Sequence, residues 1–327
     1  MSARLAFLFP GQGSYVPGLF GQLAGRCPVV ADTLSAVDAA VARLGHEPVS
    51  PVLLSSGAPS LQQLAGAEPT TLHLAIFTAS VVTYRLLTEC GVRPDVLLGH
   101  SFGDLIALTV SGAWSLDDGV RLVVLGDEAL RRSAKARGGM VALDCGARRA
   151  RALLAAVGER HLGIAADNSP GQVVVSGPHA ELEHLSRVAG AFGVSATRLR
   201  VPHPFHNAVL AGTAKKFATD ATVIARRAPR LRVYSSILGR YVTGPADVDR
   251  IVTGHLTMPV RFLDAVRQVQ ADGVGEFVEC GPKGTLTRLV AGTLPGVVVT
   301  APLLRRTDWE TWSAGLRAVS ARKGADA

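Results

Sequence analysis

The stretch Gly99-His100-Ser101-Phe102-Gly103 decides the fold of this 327-residue chain. It follows the apolar run VLL at residues 96–98 and precedes DLIAL at residues 104–108, which together predict a serine on a tight turn between a strand and a helix. The glycines let the backbone on both sides come close where a side chain would clash. The start of the helix favours negative charge on an oxygen beside Ser101, so we interpret this serine as a candidate nucleophile.

A second turn lies near the amino end of the chain. LAFLF at residues 5–9 predicts a buried strand, which breaks at PGQGS, residues 10–14. A Gly-Gln-Gly turn at the end of a strand presents backbone N–H groups outward, and Gln12 at its centre can approach an oxygen closely. By itself the motif is only weak evidence for a functional site. It becomes informative when taken together with the turn that carries Ser101.

A histidine is held in a rigid segment later in the chain. VPHPFHN at residues 201–207 follows a strand predicted over residues 195–201 and delivers His206 at the start of a helix. A lone histidine is more often structural than catalytic. Beside a serine nucleophile, however, an imidazole is the usual general base for the hydroxyl proton.

Taken in order, these three segments resemble the malonyl-CoA:acyl carrier protein transacylase family, which includes the acyltransferase domains and discrete acyltransferases of polyketide synthases. The resemblance covers nearly the whole chain and continues through PVRF at residues 259–262 and GP at residues 281–282. NSP at residues 168–170, followed by VVVSG at residues 173–177, is similar to the signature of the family's small subdomain.

The resemblance implies a role for each of the three segments. Ser101 would be the nucleophile, His206 would take its proton and return it to a thiol, and the backbone N–H groups of Gln12 and Phe102 would form the oxyanion hole. The family orients its histidine with a main-chain carbonyl, so no third acidic residue is expected. An esterase of the α/β-hydrolase type could use His255 instead, but the other two segments would then have no role.

The departure from the family lies at Gly126. Members that use malonyl or methylmalonyl groups carry an arginine there, which pairs with the free carboxylate of the acyl chain. On the predicted helix the neighbours on the same face are uncharged, and Arg121 and Arg131 lie about 140° around the axis. Because a buried carboxylate without a partner costs several kcal/mol, malonyl-CoA is expected to be a poor substrate. The alternative is a helix-packing glycine with no bearing on the substrate.

Other residues bear on the acyl group. His73 stands where the family usually has a pocket-lining glutamine, although it is equally compatible with a structural histidine. Asp127 and Glu128 suggest an amino group on the acyl chain, while an acidic pair in a helix is usually a solvated face. Against them, the segment with His203 and Phe205 is similar to the His-Ala-Phe-His version of malonyl-using polyketide enzymes. The expected acyl group is therefore uncharged at its far end or larger than malonyl.

Composition limits the remaining possibilities. With 48% hydrophobic and 18% charged residues, the chain can form one large domain with a smaller inserted one. No run approaches the about 20 apolar residues of a membrane span, and Pro10 breaks the first apolar run too early for a signal peptide. The cysteines lack metal or redox spacing and are interpreted as buried free thiols of a cytoplasmic protein. They are Cys27, Cys90, Cys145 and Cys280.

The net charge of +8 comes mainly from arginine, with clusters at residues 148–151, 226–232 and 305–306. Each cluster alone is best interpreted as solvated surface. The excess as a whole suits acidic partners, either the phosphates of coenzyme A or the acidic surface of the acyl carrier protein that the family implies. The basic residues are not interleaved with aromatic ones, so nucleic acid is not an expected partner, and neither a membrane nor a metal is expected.

The pattern of elements predicts an α/β hydrolase-like core domain, residues 1–137 and 202–327, interrupted by a ferredoxin-like subdomain of βαββαβ order, residues 138–201. The active site is expected in the cleft between them. Further elements are predicted as follows: helices near residues 103–111, 116–136, 148–157, 179–192 and 259–272, a core strand at 276–280, and a polar tail after residue 311.

Three classes of function remain. The first is a discrete, trans-acting acyltransferase of polyketide-type antibiotic biosynthesis. It would move a non-dicarboxylic acyl group, with aminoacyl or short peptidyl groups as candidates, from a coenzyme A or carrier-protein thioester to the phosphopantetheine thiol of an acyl carrier protein, without a bound cofactor. The alternatives within enzymes are an acyl carrier protein hydrolase, in which water resolves the acyl-serine, and a malonyl-CoA:acyl carrier protein transacylase. The third class is a catalytically inactive docking protein.

Overall fold

The computed structural model describes residues 4–133, 137–304 and 308–324. Within these residues the chain forms two sheets and the helices that cover them. The strands are β1 (Arg4–Phe9), β2 (Val96–Gly99), β3 (Gly139–Leu143), β4 (Gly163–Ser169), β5 (Gln172–Gly177), β6 (Ala196–Arg198), β7 (Val233–Ser235), β8 (Arg240–Tyr241), β9 (Val260–Arg261), β10 (Val274–Glu279) and β11 (Val298–Thr300). The helices are α1 (Pro28–Arg43), α2 (Ser50–Leu54), α3 (Leu61–Ala67), α4 (Pro69–Glu89), α5 (Phe102–Val110), α6 (Leu116–Arg131), α7 (Ala147–Val157), α8 (His179–Ala191), α9 (Ala211–Asp220), α10 (Pro245–Gly254), α11 (Phe262–Ala271), α12 (Thr285–Thr293) and α13 (Trp309–Gly324).

The large sheet has the strand order β11-β10-β1-β2-β7-β8 and is parallel except for β8. Its central strand β1 is apolar and buried from Leu5 to Phe9, as expected where helices cover both faces of a parallel sheet. β1 and β2 pair in register, with Phe9 opposite Gly99. The Gly-Gln-Gly turn after β1 and the serine turn after β2 therefore emerge side by side at one edge of the sheet.

The small sheet has the order β6-β3-β5-β4-β9. Its first four strands with α7 and α8 form the predicted ferredoxin-like unit, and a separate apolar cluster lies between this sheet and its two helices. The fifth strand, β9, comes from the later part of the chain and pairs in parallel with β4, with Val260 opposite Ala166. The predicted fold class is thus confirmed, while the domain limits at residues 138 and 201 stay a prediction.

Two segments differ from the sequence-based prediction. The helix expected over residues 259–272 begins only at Phe262, because Val260 and Arg261 are taken into β9. The tail after residue 311 is part of helix α13, and its Trp312 is buried, so this end is more than a polar tail. The helix expected to reach residue 136 is described as far as Arg131, and residues 134–136 lie outside the described part of the chain.

Helix α4 is the one described helix whose length and composition are comparable to those of a membrane span. By length and composition alone its 21 residues could cross a membrane, with a mean hydropathy of 1.2 over the best window. The run of apolar residues is interrupted by polar ones such as His73 and Thr78. Since 78% of that window is buried inside the molecule, we assign α4 to the core, where it packs against α1 and α6.

Two expectations about single residue types need correction. Cys90 is exposed at the end of α4, unlike the other three cysteines, which are buried free thiols. In the arginine cluster at residues 226–232, the Arg226 side chain is only 10% exposed and contacts Asp249, while Arg232 lies over the ring of Tyr241. Two arginines of that cluster therefore make contacts within the folded chain and are not simply solvated surface. The cluster at residues 148–151 is exposed on α7, and residues 305–306 lie outside the described ranges.

Candidate active site

Ser101 occupies a strained backbone conformation between β2 and α5. Its φ of 57° and ψ of −118° belong to a region that favours glycine, and such strain is typical of functional turns. The flanking glycines are required by close packing. A Cβ at Gly103 would collide with the carbonyl oxygen of Phe9, and one at Gly99 would collide with the backbone of Asp104. The sequence pattern therefore predicted this turn for the correct physical reason.

The side chain of Asp104 fixes the first turn of α5. Its Oδ2 accepts hydrogen bonds from Ser235 Oγ at 2.5 Å and from the Ile237 backbone N–H at 3.3 Å. The carboxyl group is fully buried, and this burial raises its pKa to about 7. Asp104 thereby ties the helix that follows Ser101 to the loop after β7.

His206 lies directly opposite Ser101. Its Nε2 is 2.6 Å from Ser101 Oγ, and its Nδ1 is 2.7 Å from the main-chain carbonyl oxygen of Met258. Because a carbonyl can only accept, the proton is on Nδ1, which leaves Nε2 free to accept the serine hydroxyl proton. Burial lowers the pKa of His206 to about 4, so the imidazole is neutral at physiological pH.

The position of His206 is held by its neighbour Asn207. The Asn207 amide donates to the carbonyl oxygens of His161 and Ser176, both at 2.9 Å, and its Oδ1 caps the short helix that follows. His206 itself has a positive φ of 59°, a second strained residue at the same site. The segment is thus bound to the small subdomain and presents the imidazole to the large one.

The Gly-Gln-Gly turn packs against the serine turn. A Cβ at Gly11 would lie 3.0 Å from the carbonyl oxygen of His100, and Lys283 Nζ donates to the Gly13 carbonyl at 2.7 Å. Gln12 borders the same cavity as Ser101. Phe102 is the first residue of α5, where N–H groups have no partner within the helix. The two N–H groups named from the sequence therefore belong to elements that meet at Ser101.

The cleft between the two sheets holds a cavity of about 320 Å³, which we call the cleft cavity. Ser101 and His206 border it from one side, and the strands of the small sheet border it from the other. His100 Nε2 donates to Asn168 Oδ1 at 2.7 Å, and the Asn168 amide donates to Gln172 Oε1 at 2.9 Å. The sequence marked Asn168 only as part of a family signature and gave no role to His100 or Gln172.

A second cavity of about 30 Å³, the inner cavity, lies on the α6 side of Ser101. It brings together five residues that the sequence placed at the substrate site: Gln12, His73, Phe102, Gly126 and Phe205. His203 does not border it. That residue borders a third cavity of about 390 Å³, the outer cavity, which also includes Gln12, His73, Leu130 and Arg200.

Gly126 does not leave a large void. A Cβ on this residue would lie 3.7 Å from Cε2 of Phe217, an ordinary van der Waals contact. The buried Phe217 ring therefore occupies the space beyond the glycine. The expectation of added room for a group larger than malonyl is not met at this cavity, where the volume suffices for about one small group.

The two acidic residues beside Gly126 have different environments: Asp127 is buried, and Glu128 lies nearer the surface. Asp127 is 8% exposed and accepts a hydrogen bond at Oδ1 from Nδ1 of His73 at 2.6 Å. Glu128 instead pairs with Arg132 at 3.0 Å. Arg131 borders the outer cavity and does not border the inner cavity of Gly126, in line with its expected place on another face of the helix.

His255 was considered from sequence only as a base for an esterase. It is buried on the inner cavity, with its ring centroid 6.2 Å from that of His206, and burial lowers its pKa to about 3. Within the described ranges, no group of three or more His, Cys, Asp or Glu residues could hold a metal ion. The chemistry that these side chains can perform is attack by Ser101 on a carbonyl carbon, with neutral His206 as the base.

Comparisons with known proteins show which family the chain belongs to. A segment of erythronolide synthase EryA3 from Saccharopolyspora erythraea is 35% identical over 308 residues, which is 94% of this chain and 9% of that protein. The acyltransferase domain from module 8 of the salinomycin polyketide synthase superposes with a TM-score of 0.87 at 29% identity, covering 98% of this chain and 77% of that one. An acyl-carrier-protein S-malonyltransferase from Burkholderia pseudomallei gives a TM-score of 0.85 at 26% identity, covering 96% and 99%.

The chain spans between 4% and 20% of the length of eight curated relatives that it matches, which include the erythronolide synthase. Residues 6–315 match the model of the acyl transferase domain family. This range includes the serine turn, the Gly-Gln-Gly turn and the segment of His206. Together with the fold and the geometry at Ser101, this match shows that the chain belongs to the acyl transferase domain family.

Proposed function

We propose that this chain transfers an acyl group without a free carboxylate from a thioester to the thiol of an acyl carrier protein, through an ester on Ser101. The observation that carries the specificity is the charge of the inner cavity. Of the described residues that border it, none is Lys or Arg, and one is the buried acid Asp127. A malonyl carboxylate at this place would lie beside Asp127 without a cation of its own.

The reaction follows from the contacts of His206. As Ser101 Oγ attacks the thioester carbonyl carbon, its proton passes to Nε2, and the carbonyl of Met258 holds the imidazole in place through Nδ1–H. The N–H groups of Gln12 and Phe102 stabilise the oxyanion, a contribution of about 3 kcal/mol for one donor in comparable sites. The tetrahedral species expels the thiol, which takes the proton from His206, and the acceptor thiol reverses these steps.

The cleft cavity is the proposed path of the phosphopantetheine arm. It reaches Ser101 and combines apolar side chains with the amides of Asn168 and Gln172, which suit the two amide groups of the arm. The arm arrives as part of the substrate, on coenzyme A or on a carrier protein, so no resident cofactor is needed.

The setting that we propose is polyketide-type antibiotic biosynthesis in the cytoplasm, with the chain acting in trans as a discrete enzyme. The relatives support this setting, since those named above include polyketide synthases and a malonyltransferase of acyl carrier protein. The net charge of +8 suits a carrier protein with an acidic surface.

The test is a panel of thioesters followed by intact-mass measurement. Malonyl, acetyl and propionyl groups are offered on coenzyme A and on carrier protein, to the wild type and to Ser101→Ala. We expect stable acetyl and propionyl adducts that the variant lacks and that discharge when a carrier protein with a free thiol is added.

Two results would contradict the proposal at different points. A malonyl adduct that forms as fast as the acetyl adduct would identify the chain as a malonyl transferase and contradict the proposed specificity. Release of free acid without an acceptor thiol, at a rate comparable to transfer, would identify a hydrolase of acyl carrier protein.

A further inference from the structure

Two buried polar atoms at the inner cavity lack a hydrogen-bond partner among the described residues. They are Oδ2 of Asp127 and Nδ1 of His255. Both residues are 8% exposed, and both border the cavity that Ser101 also borders. Leaving such an atom unsatisfied is costly, and in native proteins a ligand or water usually satisfies it.

The chemistry of these two atoms suits a hydrogen-bond donor. Oδ2 of a carboxylate can only accept, and His73 already occupies the other oxygen. The His255 ring is neutral because burial lowers its pKa to about 3, so its Nδ1 accepts in the tautomer that carries the proton on Nε2. In that tautomer the two atoms together match a group that carries at least two N–H bonds.

Among the residues that the structure describes, no Lys or Arg side chain pairs with Asp127. Arg131, one turn along α6 from Asp127, borders the outer cavity but not the inner one. Arg132 pairs with Glu128. His73 is the described basic group in contact with Asp127, and it reaches only Oδ1.

The size of the cavity agrees with an amine. A cavity of about 30 Å³ exceeds the about 10–15 Å³ that one water molecule needs, so it has room for an amino group. Gln12, His73, Asp127 and Leu130 border both the inner and the outer cavity, so the two spaces adjoin at Asp127. The outer cavity of about 390 Å³ offers room for a substituent beyond that point.

We infer that the transferred acyl group carries an amino group close to its thioester, which Asp127 Oδ2 and His255 Nδ1 receive in the inner cavity. The substrate class is an aminoacyl thioester, and the outer cavity accepts an extension of the chain, such as a second aminoacyl unit. This inference rests on the proposed function and names its substrate class.

The experiment compares pairs of N-acetylcysteamine thioesters that differ only by the amine: glycyl with acetyl, and β-alanyl with propionyl. The rate of Ser101 acylation is followed by intact mass and divided by the reaction rate of each thioester with free glutathione, because an ammonium group activates the carbonyl. We expect the corrected rate to be at least about 10-fold higher for one or both amino members.

The variants separate Asp127 from its acidic neighbour. Asp127→Asn keeps the shape of the side chain and should remove the preference for the amino member, whereas Glu128→Gln is the matched control and should keep it. Labelling of Ser101 by a fluorophosphonate at the wild-type rate shows that the nucleophile is intact in each variant.

The outcomes distinguish the inference from the proposed function. Equal corrected rates for both members of each pair in the wild type would overturn the inference alone, whatever the variants do. A preference that persists in Asp127→Asn would also overturn it. The absence of an adduct from every thioester would overturn the proposed function together with the inference.

Discussion

His206 is the proposed catalytic base, and its basicity is set without an acidic partner. Its Nδ1 bonds to a neutral carbonyl, and burial favours the uncharged ring, so the pKa is lowered to about 4. A histidine held by a carboxylate would instead have a raised pKa. The arrangement keeps the base unprotonated at and well below neutral pH.

The pH dependence of acylation follows from this lowered pKa. The reaction requires neutral His206, so kcat/KM for a small thioester should stay level from pH 8 to about 5 and fall only as His206 protonates near 4. The measurement is a pH profile of acylation, restricted by circular dichroism to the range in which the protein is folded. An acid limb near the ordinary histidine value of 6.5 would contradict it.

Substitution of Gly126 tests how closely Phe217 fills the pocket. In Gly126→Ala the new Cβ makes an ordinary contact with the ring and improves helix propensity, so the free energy of unfolding should rise by about 0.5–1 kcal/mol. Gly126→Arg must displace Phe217, so it should be less stable than the wild type by about 1–3 kcal/mol and acylate more slowly with the native group. Urea unfolding and intact mass measure both.

The arginine variant has a second readout. If α6 presents residue 126 to the acyl group, Gly126→Arg gains activity on malonyl thioesters relative to acetyl thioesters. An unchanged ratio, together with unchanged stability in both variants, would show that this helix face does not border the acyl pocket.

Single residues differed in how far the sequence could predict them. Ser101 and His206 lie in segments whose glycines and prolines indicate the tight turns that hold them. In the structure Ser101 Oγ is 2.6 Å from His206 Nε2. The carbonyl of Met258 has no side-chain signal at all. The division between Asp127 and Glu128 depends on how α6 packs, which the sequence of one helix does not specify.

At the scale of elements, α5 is the structure on which the serine depends. Asp104 in its first turn is fully buried against Ser235 and Ile237, and its pKa is raised to about 7. Because the unfolded carboxyl titrates near 3.8, the native state binds more protons than the unfolded state between about pH 4 and 7. The contribution of Asp104 to stability therefore falls as the pH rises through this range.

Asp104→Asn should remove that dependence. The amide does not ionise, so the free energy of unfolding of the variant minus that of the wild type should increase by at least about 1 kcal/mol from pH 4.5 to pH 7. If the amide destabilises the fold by an amount that does not depend on pH, the difference in unfolding free energy shifts equally at every pH. Glu279, whose pKa is also raised to about 7, is present in both proteins, so its titration cancels in the difference. Urea titrations at several pH values measure the difference, and a flat difference would contradict the prediction.

Elements differed in predictability for a physical reason. The strand before the serine turn and the βαββαβ order follow from local apolar patterns and turn residues, and the structure has them. β9 was missed because a two-residue strand exists only through its pairing with β4. α13 was missed because its signal is weak, with Trp312 as its buried anchor. Pairing and docking of this kind are tertiary effects that override local propensity.

At the scale of the whole molecule, β9 joins the two sheets at the active site. It begins two residues after Met258, whose carbonyl accepts a hydrogen bond from His206, and it pairs with β4, which carries Asn168 into the cleft. The base and the wall of the cleft cavity are thus tied to one strand pair, which keeps the distance between them defined.

The charge of the whole molecule leads to a prediction about its partner. With a net charge of +8, a carrier protein of acidic surface should be attracted over distances beyond direct contact, and salt screens such attraction with a Debye length of about 10 Å at 0.1 M. Raising the ionic strength from about 0.05 to 0.3 M should lower kcat/KM several-fold for an acyl group on carrier protein. The same acyl group on N-acetylcysteamine is the control, because it lacks the charged surface and should change less than about twofold. Equal salt dependence for both donors would mean that the basic surface does not guide the carrier protein to the cleft, and that recognition depends on the phosphopantetheine arm alone.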